Sequence, residues 1–105
     1  MNEKREEKED RSWSVYIVEC ADGTLYTGIA RSVRARVIAH NRGKGARYTR
    51  GRLPVRLLWR EGGLGRRAAL RREAEIKKLR RGEKLLLVAA GGKSRLAALE
   101  PPPPA

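Results

Sequence analysis

Two runs of β-favouring residues, SVYIVEC (14–20) and TLYTGIA (24–30), are separated only by Ala21-Asp22-Gly23. So short a connection leaves an antiparallel hairpin as the arrangement available there. The length of the loop then sets the register, and the register decides which face each side chain occupies. A two-residue Asp-Gly loop would put Tyr16 and Tyr26 on opposite faces. A three-residue loop, with Gly23 left-handed in a bulge, pairs Cys20 with Thr24, opposes Tyr16 to Gly28 and Tyr26 to Val18, and turns both rings to one side. The three-residue loop is the expectation.

The rest of the chain supplies partners for this hairpin. In residues 32–42, SVRARVIAHNR, Val33, Arg36, Val37 and His40 recur at helical spacing behind Ser32, a suitable N-cap. The segment 43–54, GKGARYTRGRLP, reads as a basic loop with three glycines, and VRLLWR (55–60) reads as a third strand. EGGLG then turns the chain into a long helix over about 66–81, ended by Gly82, and a short helix follows over 83–90. The order β-β-α-β-α-α predicts an α+β fold, a three-stranded antiparallel sheet flanked by helices. Residues 1–12 are nearly all charged and read as a disordered arm. The Gly/Pro-rich end, 91–105, reads as a flexible tail, leaving 13–90 as the domain.

Charge narrows the function classes. The 105-residue chain carries a formal net charge of +13 and a pI of about 11.1. Residues 1–12 hold four basic and five acidic side chains, so the remainder, with 21 against seven, holds the whole excess. Such a body attracts polyanions, of which nucleic acid is the commonest in cells. A merely solvated surface and an affinity for anionic membranes are the other readings. One cysteine, Cys20, cannot make an internal disulfide or a zinc site alone, which fits a reducing, cytoplasmic compartment. No apolar run is long enough to span a membrane, and the N-terminus lacks the apolar segment of a signal peptide.

Chemistry-bearing residues gather in the same elements. Glu73 follows Ala69 and Leu70 and precedes Ile76, so it sits on the apolar stripe of the long helix, where a carboxylate needs a metal ion or an arginine beside it. Glu75 keeps company with Arg71, Arg72 and Lys78 on the wet side, a surface ion pair worth ~0.3–0.5 kcal/mol. Arg36 and His40, one turn apart, project together. Gly28 within a strand marks close approach by another group. Each residue also has a bland reading. Tyrosine suits strands, Arg36 can lay its stem on the surface, His40 can balance a helix dipole, and Glu73 can tie a helix down through an arginine. As a set, they match what phosphodiester hydrolysis requires: a group that takes a proton from water, a metal, a cation for the transition state, and help for the departing oxygen. Tyrosine is a weak base at its ordinary pKa of ~10 unless a cation lowers it.

VYI (15–17), YTG (26–28), Arg36, His40, Asn41 and Glu73 within ALRREAEIKKL together resemble the GIY-YIG nuclease superfamily, over about residues 13–88. GKGARYTRGRLPV is similar to its small single-domain bacterial branch. The resemblance implies a divalent-metal-dependent endonuclease acting on DNA, structure-selective or nonspecific, in repair or recombination. It implies that Glu73 holds the metal, Mg²⁺ by default for oxygen ligands, or Mn²⁺. Tyr26 would activate the attacking water, Tyr16 position water or phosphate, and Arg36 stabilise the transition state. His40 would shuttle a proton or contact phosphate, with Asn41 in support, and Gly28 would leave space beside Tyr26. Lys44, Arg47, Arg50 and Arg52, with Tyr48 stacking on a base, would follow the backbone of single-stranded or structured DNA. VYI stands for a literal GIY, YTG for YIG, and Ile29 where excision-repair members carry lysine. A nucleic-acid-binding module without turnover, and an RNA- or ribosome-associated protein, are the alternatives.

Overall fold

Hydrogen bonds close the expected hairpin. The structure, a computed structural model, describes residues 10–91. Strand β1 (Trp13–Glu19) pairs antiparallel with β2 (Leu25–Ala30), with Tyr16 opposite Gly28 and Val18 opposite Tyr26. The turn is the three-residue form. The Cys20 amide donates to the Thr24 carbonyl at 2.8 Å, and Gly23 has φ +84. Asp22 holds the turn from its side chain, accepting from the amide and the hydroxyl of Thr24 at 3.1 and 2.6 Å.

Helix α1 (Val33–Asn41) starts at Ser32, whose hydroxyl accepts from the Ala35 amide. A four-residue helix α2 (Arg47–Arg50) follows, then β3 (Arg56–Leu64), α3 (Arg66–Lys77) and α4 (Arg81–Ala90). The sheet order is β2-β1-β3, so β2 is an edge strand. The expected α+β arrangement is what forms. No helix of the described residues is long and apolar enough to cross a membrane. The expected N-terminal arm lies outside the described residues except for 10–12, where Asp10 pairs with Arg31 at 2.9 Å. The expected tail lies outside them beyond Gly91.

Alternation along β1 builds two cores, one on each face of the sheet. On one face Tyr16, Val18 and Cys20 pack with Ala30, Val33 and Val55 under α1. On the other, Val15, Ile17 and Trp59 pack against Ala69 and Ile76 of α3, joined by Leu87 and Val88 of α4. The Cys20 thiol is buried in the first core, and burial pushes its pKa up, so it sits there as a small apolar group.

Three boundaries depart from the sequence expectation. EGGL is strand, not turn. The register passes from Trp13 opposite Leu64 to Val15 opposite Glu61, so β3 carries one residue more than β1 there, and Gly63 at φ +75 absorbs it as a bulge. The long helix stops at Lys77 rather than near residue 81. The Glu83 carboxylate reaches back to the Arg80 amide at 2.8 Å and starts a new helix, placing Gly82 inside the first turn of α4 instead of after α3. Finally, residues 47–50 are helical, for a reason found in the site.

Candidate active site

The face of the hairpin under α1 gathers three rings. Tyr16 and Tyr26 have centroids 6.4 Å apart, and His40 of α1 meets them edge-on at 6.0 and 5.5 Å. The close fit depends on Gly28. A Cβ there would lie 2.7 Å from the Tyr16 hydroxyl and 3.1 Å from the Tyr26 ring. The glycine thus makes room for both phenols, where the sequence had suggested space beside Tyr26.

His40 is fully buried, and both its nitrogens are engaged. Nε2 lies 2.8 Å from the Tyr16 hydroxyl, and Nδ1 lies 2.9 Å from Thr49 Oγ1 and 3.2 Å from the Ala46 amide. With the ring proton on Nε2, His40 donates to Tyr16 and Nδ1 accepts from Ala46. That is the tautomer the Ala46 amide selects, because its N–H points at Nδ1 and leaves no place for a second proton there, and it fixes the Tyr16 oxygen. Burial, aided by the positive charge of Arg36, lowers the His40 pKa and keeps the ring neutral at pH 7.

This contact explains α2. The basic segment folds back over His40 because Gly45 lets it come so close. A Cβ on Gly45 would collide with His40 Nδ1 and lie 2.7 Å from the His40 Cα. Thr49 is buried, and its hydroxyl also reaches the Ala46 carbonyl at 2.9 Å. Neither Gly45 nor Thr49 stood out in the sequence. The signal that could have found them is the glycine pair around Lys44, which permits a tight return onto the preceding helix.

Burial divides the expected site residues into two groups. Tyr16 is 1% exposed and His40 0%. That corrects the expectation of a phosphate contact from His40, since a ring sealed under Tyr16 acts through Tyr16. Desolvation raises the Tyr16 pKa from 10.0 to about 12, with a hydrogen bond from Arg36 pulling the other way. Tyr26 and Arg36 are half-buried and reach the surface.

Glu73 completes the set from α3. Its side chain is 18% exposed, and its charge is felt at the Tyr16 phenol. The cation beside it is a lysine, not an arginine. Lys77 Nζ lies 3.3 Å from the carboxylate, and 6.0 Å from the centroid of the Tyr26 ring. Since α3 packs on the other face of the sheet, this row of the helix meets the tyrosines around the β2 edge. Lys77 was missed in the sequence, although its i+4 spacing from Glu73 is legible. Glu75 pairs on the wet side with Arg72, as expected.

The remaining expected contacts are distributed differently. Asn41 clamps the chain just before β3, donating to the Val55 carbonyl at 3.0 Å and accepting from the Val55 amide at 2.7 Å. With both ends of its amide on backbone, it positions α1 and does not point at a ligand. Tyr48 stacks on Tyr26 at 5.9 Å, and the Arg52 guanidinium lies 4.0 Å over the Tyr48 ring. Arg52 also pairs with Asp22 at 3.1 Å, so it ties α2 to the hairpin turn instead of waiting for a backbone phosphate. Lys44, Arg47 and Arg50 are exposed beside the ring cluster.

No cluster of three His, Cys, Asp or Glu side chains that could cage a cation occurs among the described residues. The donor set still fits a hard divalent cation. Mg²⁺ commonly takes one or two carboxylates and fills its shell with waters and substrate phosphate. Glu73 is a half-buried carboxylate whose neighbouring cation, Lys77, is itself largely exposed, so it can serve as that ligand.

Paired tyrosines and an arginine on one face of the sheet, joined around its β2 edge by a carboxylate from α3, make up the kind of side-chain set that phosphate chemistry uses. The GIY-YIG catalytic domain model matches residues 12–85, and the chain belongs to that family, a superfamily of nucleases acting on nucleic acid. It is 53% identical over 77 residues to UPF0213 protein SERP0126 of Staphylococcus epidermidis, covering 73% of this chain and 94% of that protein. It is 54% identical over 74 residues to UPF0213 protein SA0446 of Staphylococcus aureus, covering 70% and 90%. The solution NMR structure of the UPF0213 protein BH0048 from Bacillus halodurans is similar at 45% identity and a TM-score of 0.49, over 74% of this chain and 83% of that one.

Proposed function

We propose that this protein is a cytoplasmic, divalent-metal-dependent endonuclease that hydrolyses phosphodiester bonds in DNA, structure-selective or nonspecific, in repair or recombination. The observation that carries the reading is the meeting of Tyr26, Arg36 and Glu73 at one surface, with Tyr16 locked behind them by His40.

Burial separates the two phenols. Tyr16, with a pKa of about 12, stays protonated at neutral pH and cannot take a proton from water. It orients Arg36 and the neighbouring ring. Tyr26 is the better placed to accept the proton of the attacking water, since it reaches the surface beside Lys77. Arg36, with no carboxylate partner among the described residues, faces the extra negative charge of the transition state. His40 and Thr49 hold Tyr16, and Asn41 holds α1. Glu73 would hold Mg²⁺ or Mn²⁺, which supplies charge for the phosphate and acidifies bound water. Lys77 pairs with the Glu73 carboxylate and ties it to the side of the helix that meets Tyr26.

The test incubates purified protein with labelled single-stranded, flapped and duplex DNA, with Mg²⁺, Mn²⁺ or EDTA. Metal-dependent cutting is expected, reduced about 10²–10³-fold in Arg36→Ala and abolished in Glu73→Ala. Cutting that resists EDTA or survives both substitutions would remove the proposal. Tight DNA binding with no cutting on any substrate would make the protein a binding module, and a preference for structured RNA would change the substrate.

A further inference from the structure

A second basic feature lies away from the tyrosines. The bulged end of β3 and the first turns of α3 enclose an open cleft of about 560 Å³. Three arginines line it, Arg11 from the chain before β1 and Arg67 and Arg71 from α3, over a wall formed by Gly63, Leu64 and Gly65. Among the described residues no acidic side chain lines the cleft, and none of the three arginines has an acidic partner there. Other arginines differ in this respect: Arg72 pairs with Glu61 and Glu75, Arg56 with Glu19, and Arg52 with Asp22. Two further arginines, Arg31 and Arg66, flank Trp13 at 5.3 and 5.6 Å, opposite Leu64.

The cleft is separate from the tyrosine site. Arg67 precedes Glu73 by six residues, about 9 Å along the helix axis, and projects from another face of α3. Uncompensated guanidinium groups converging on a concave surface match phosphate oxygens, which they grip through paired N–H donors. The open shape, with glycine walls and guanidinium groups as its polar side chains, suits a phosphate backbone running past it.

We propose that the Arg11–Arg67–Arg71 cleft binds the phosphodiester backbone of a nucleic-acid strand at a point remote from the cut, giving the enzyme a second hold on the same substrate. This rests on the nucleic-acid reading above, but its test needs no turnover. Binding of labelled single-stranded DNA is measured by fluorescence anisotropy across salt concentrations, using the full chain with Glu73→Gln to block cutting. Arg67→Ala/Arg71→Ala should weaken binding about tenfold and lower the log–log salt slope by about 1.4, the value for two lost phosphate contacts on a single strand. Arg67→Lys/Arg71→Lys should keep the slope. Arg34→Ala/Lys84→Ala removes the same charge elsewhere and should have less than half the effect, and circular dichroism checks each fold. The proposal falls if the cleft variant binds like the parent, if the control pair matches it, or if the parent binds no DNA. It also falls if pyrophosphate binding, followed by calorimetry, is lost in the cleft variant while DNA binding is unchanged, because the cleft would then serve a small anion. Loss of DNA cutting in the native chain, with these binding results intact, would overturn the catalytic reading alone.

Discussion

Tyr16 and His40 are two titratable groups that hold each other in uncharged form, and each charged form is disfavoured by burial. Folding therefore shifts their pKa values in opposite senses. His40, lowered from 6.5, binds its proton less readily in the folded chain. Its contribution is complete above about pH 6.5 and is lost as pH falls toward the folded value, because the unfolded chain there takes up a proton that the fold refuses. Tyr16, raised from 10.0 to about 12, works the other way. Its contribution is complete below pH 10 and is lost as pH rises toward 12, where the unfolded phenol ionises first. Two units correspond to about 2–3 kcal/mol. Urea unfolding across pH 5–11.5 should show a plateau between these limits. Tyr16→Phe should flatten the alkaline limb and His40→Gln the acid limb. Limbs unchanged by those substitutions would mean that the two groups are not held as described. At this scale the sequence was informative for the tyrosines, since period two and Gly23 determine their face. It was silent on the burial that divides Tyr16 from Tyr26, because burial depends on how α1 and α2 cover them.

Among the elements, α1 is held by more than its apolar stripe. Only Val33 and His40 of that helix are buried, so its docking depends on polar attachments. Asn41 supplies two, both to Val55, just before β3, which is itself in the core under α1. Asn41→Ala would strand the buried Val55 amide and weaken a carbonyl bond, a cost of about 1–3 kcal/mol. Chemical denaturation should register that loss, and cleavage by the folded fraction should fall as well, because the same helix carries Arg36 and His40. A loss of stability below about 0.5 kcal/mol would show that the clamp is ornamental and α1 is seated by its apolar residues. Helix boundaries were the least legible part of the sequence for a related reason. Residues 47–50 have glycines on both sides and no apolar stripe, so local preference indicates a loop, and only the contacts of Ala46 and Thr49 with a histidine six and nine positions away make it helical. The break after Lys77 likewise depends on one reach of Glu83 to a backbone amide.

For the molecule as a whole, charge and chemistry are assigned to different distances. The +13 excess acts over a Debye length of about 10 Å at 0.1 M salt and draws a strand to the surface. The reacting groups act in contact, and the most deeply placed, Tyr16 and His40, are sealed from ions in solution. Salt should therefore separate encounter from turnover. With Mg²⁺ held constant, kcat/KM on single-stranded DNA should fall linearly with salt on log–log axes, by about 0.7 for each phosphate neutralised. The value of kcat at saturating DNA should change much less. Steady-state kinetics between 50 and 300 mM KCl would measure both. If kcat fell in parallel with kcat/KM, salt would be acting on the reacting groups themselves. Arg36 and Glu73 would then sit in open water at the moment of reaction, and the partial burial that concentrates their charge would not persist with DNA bound.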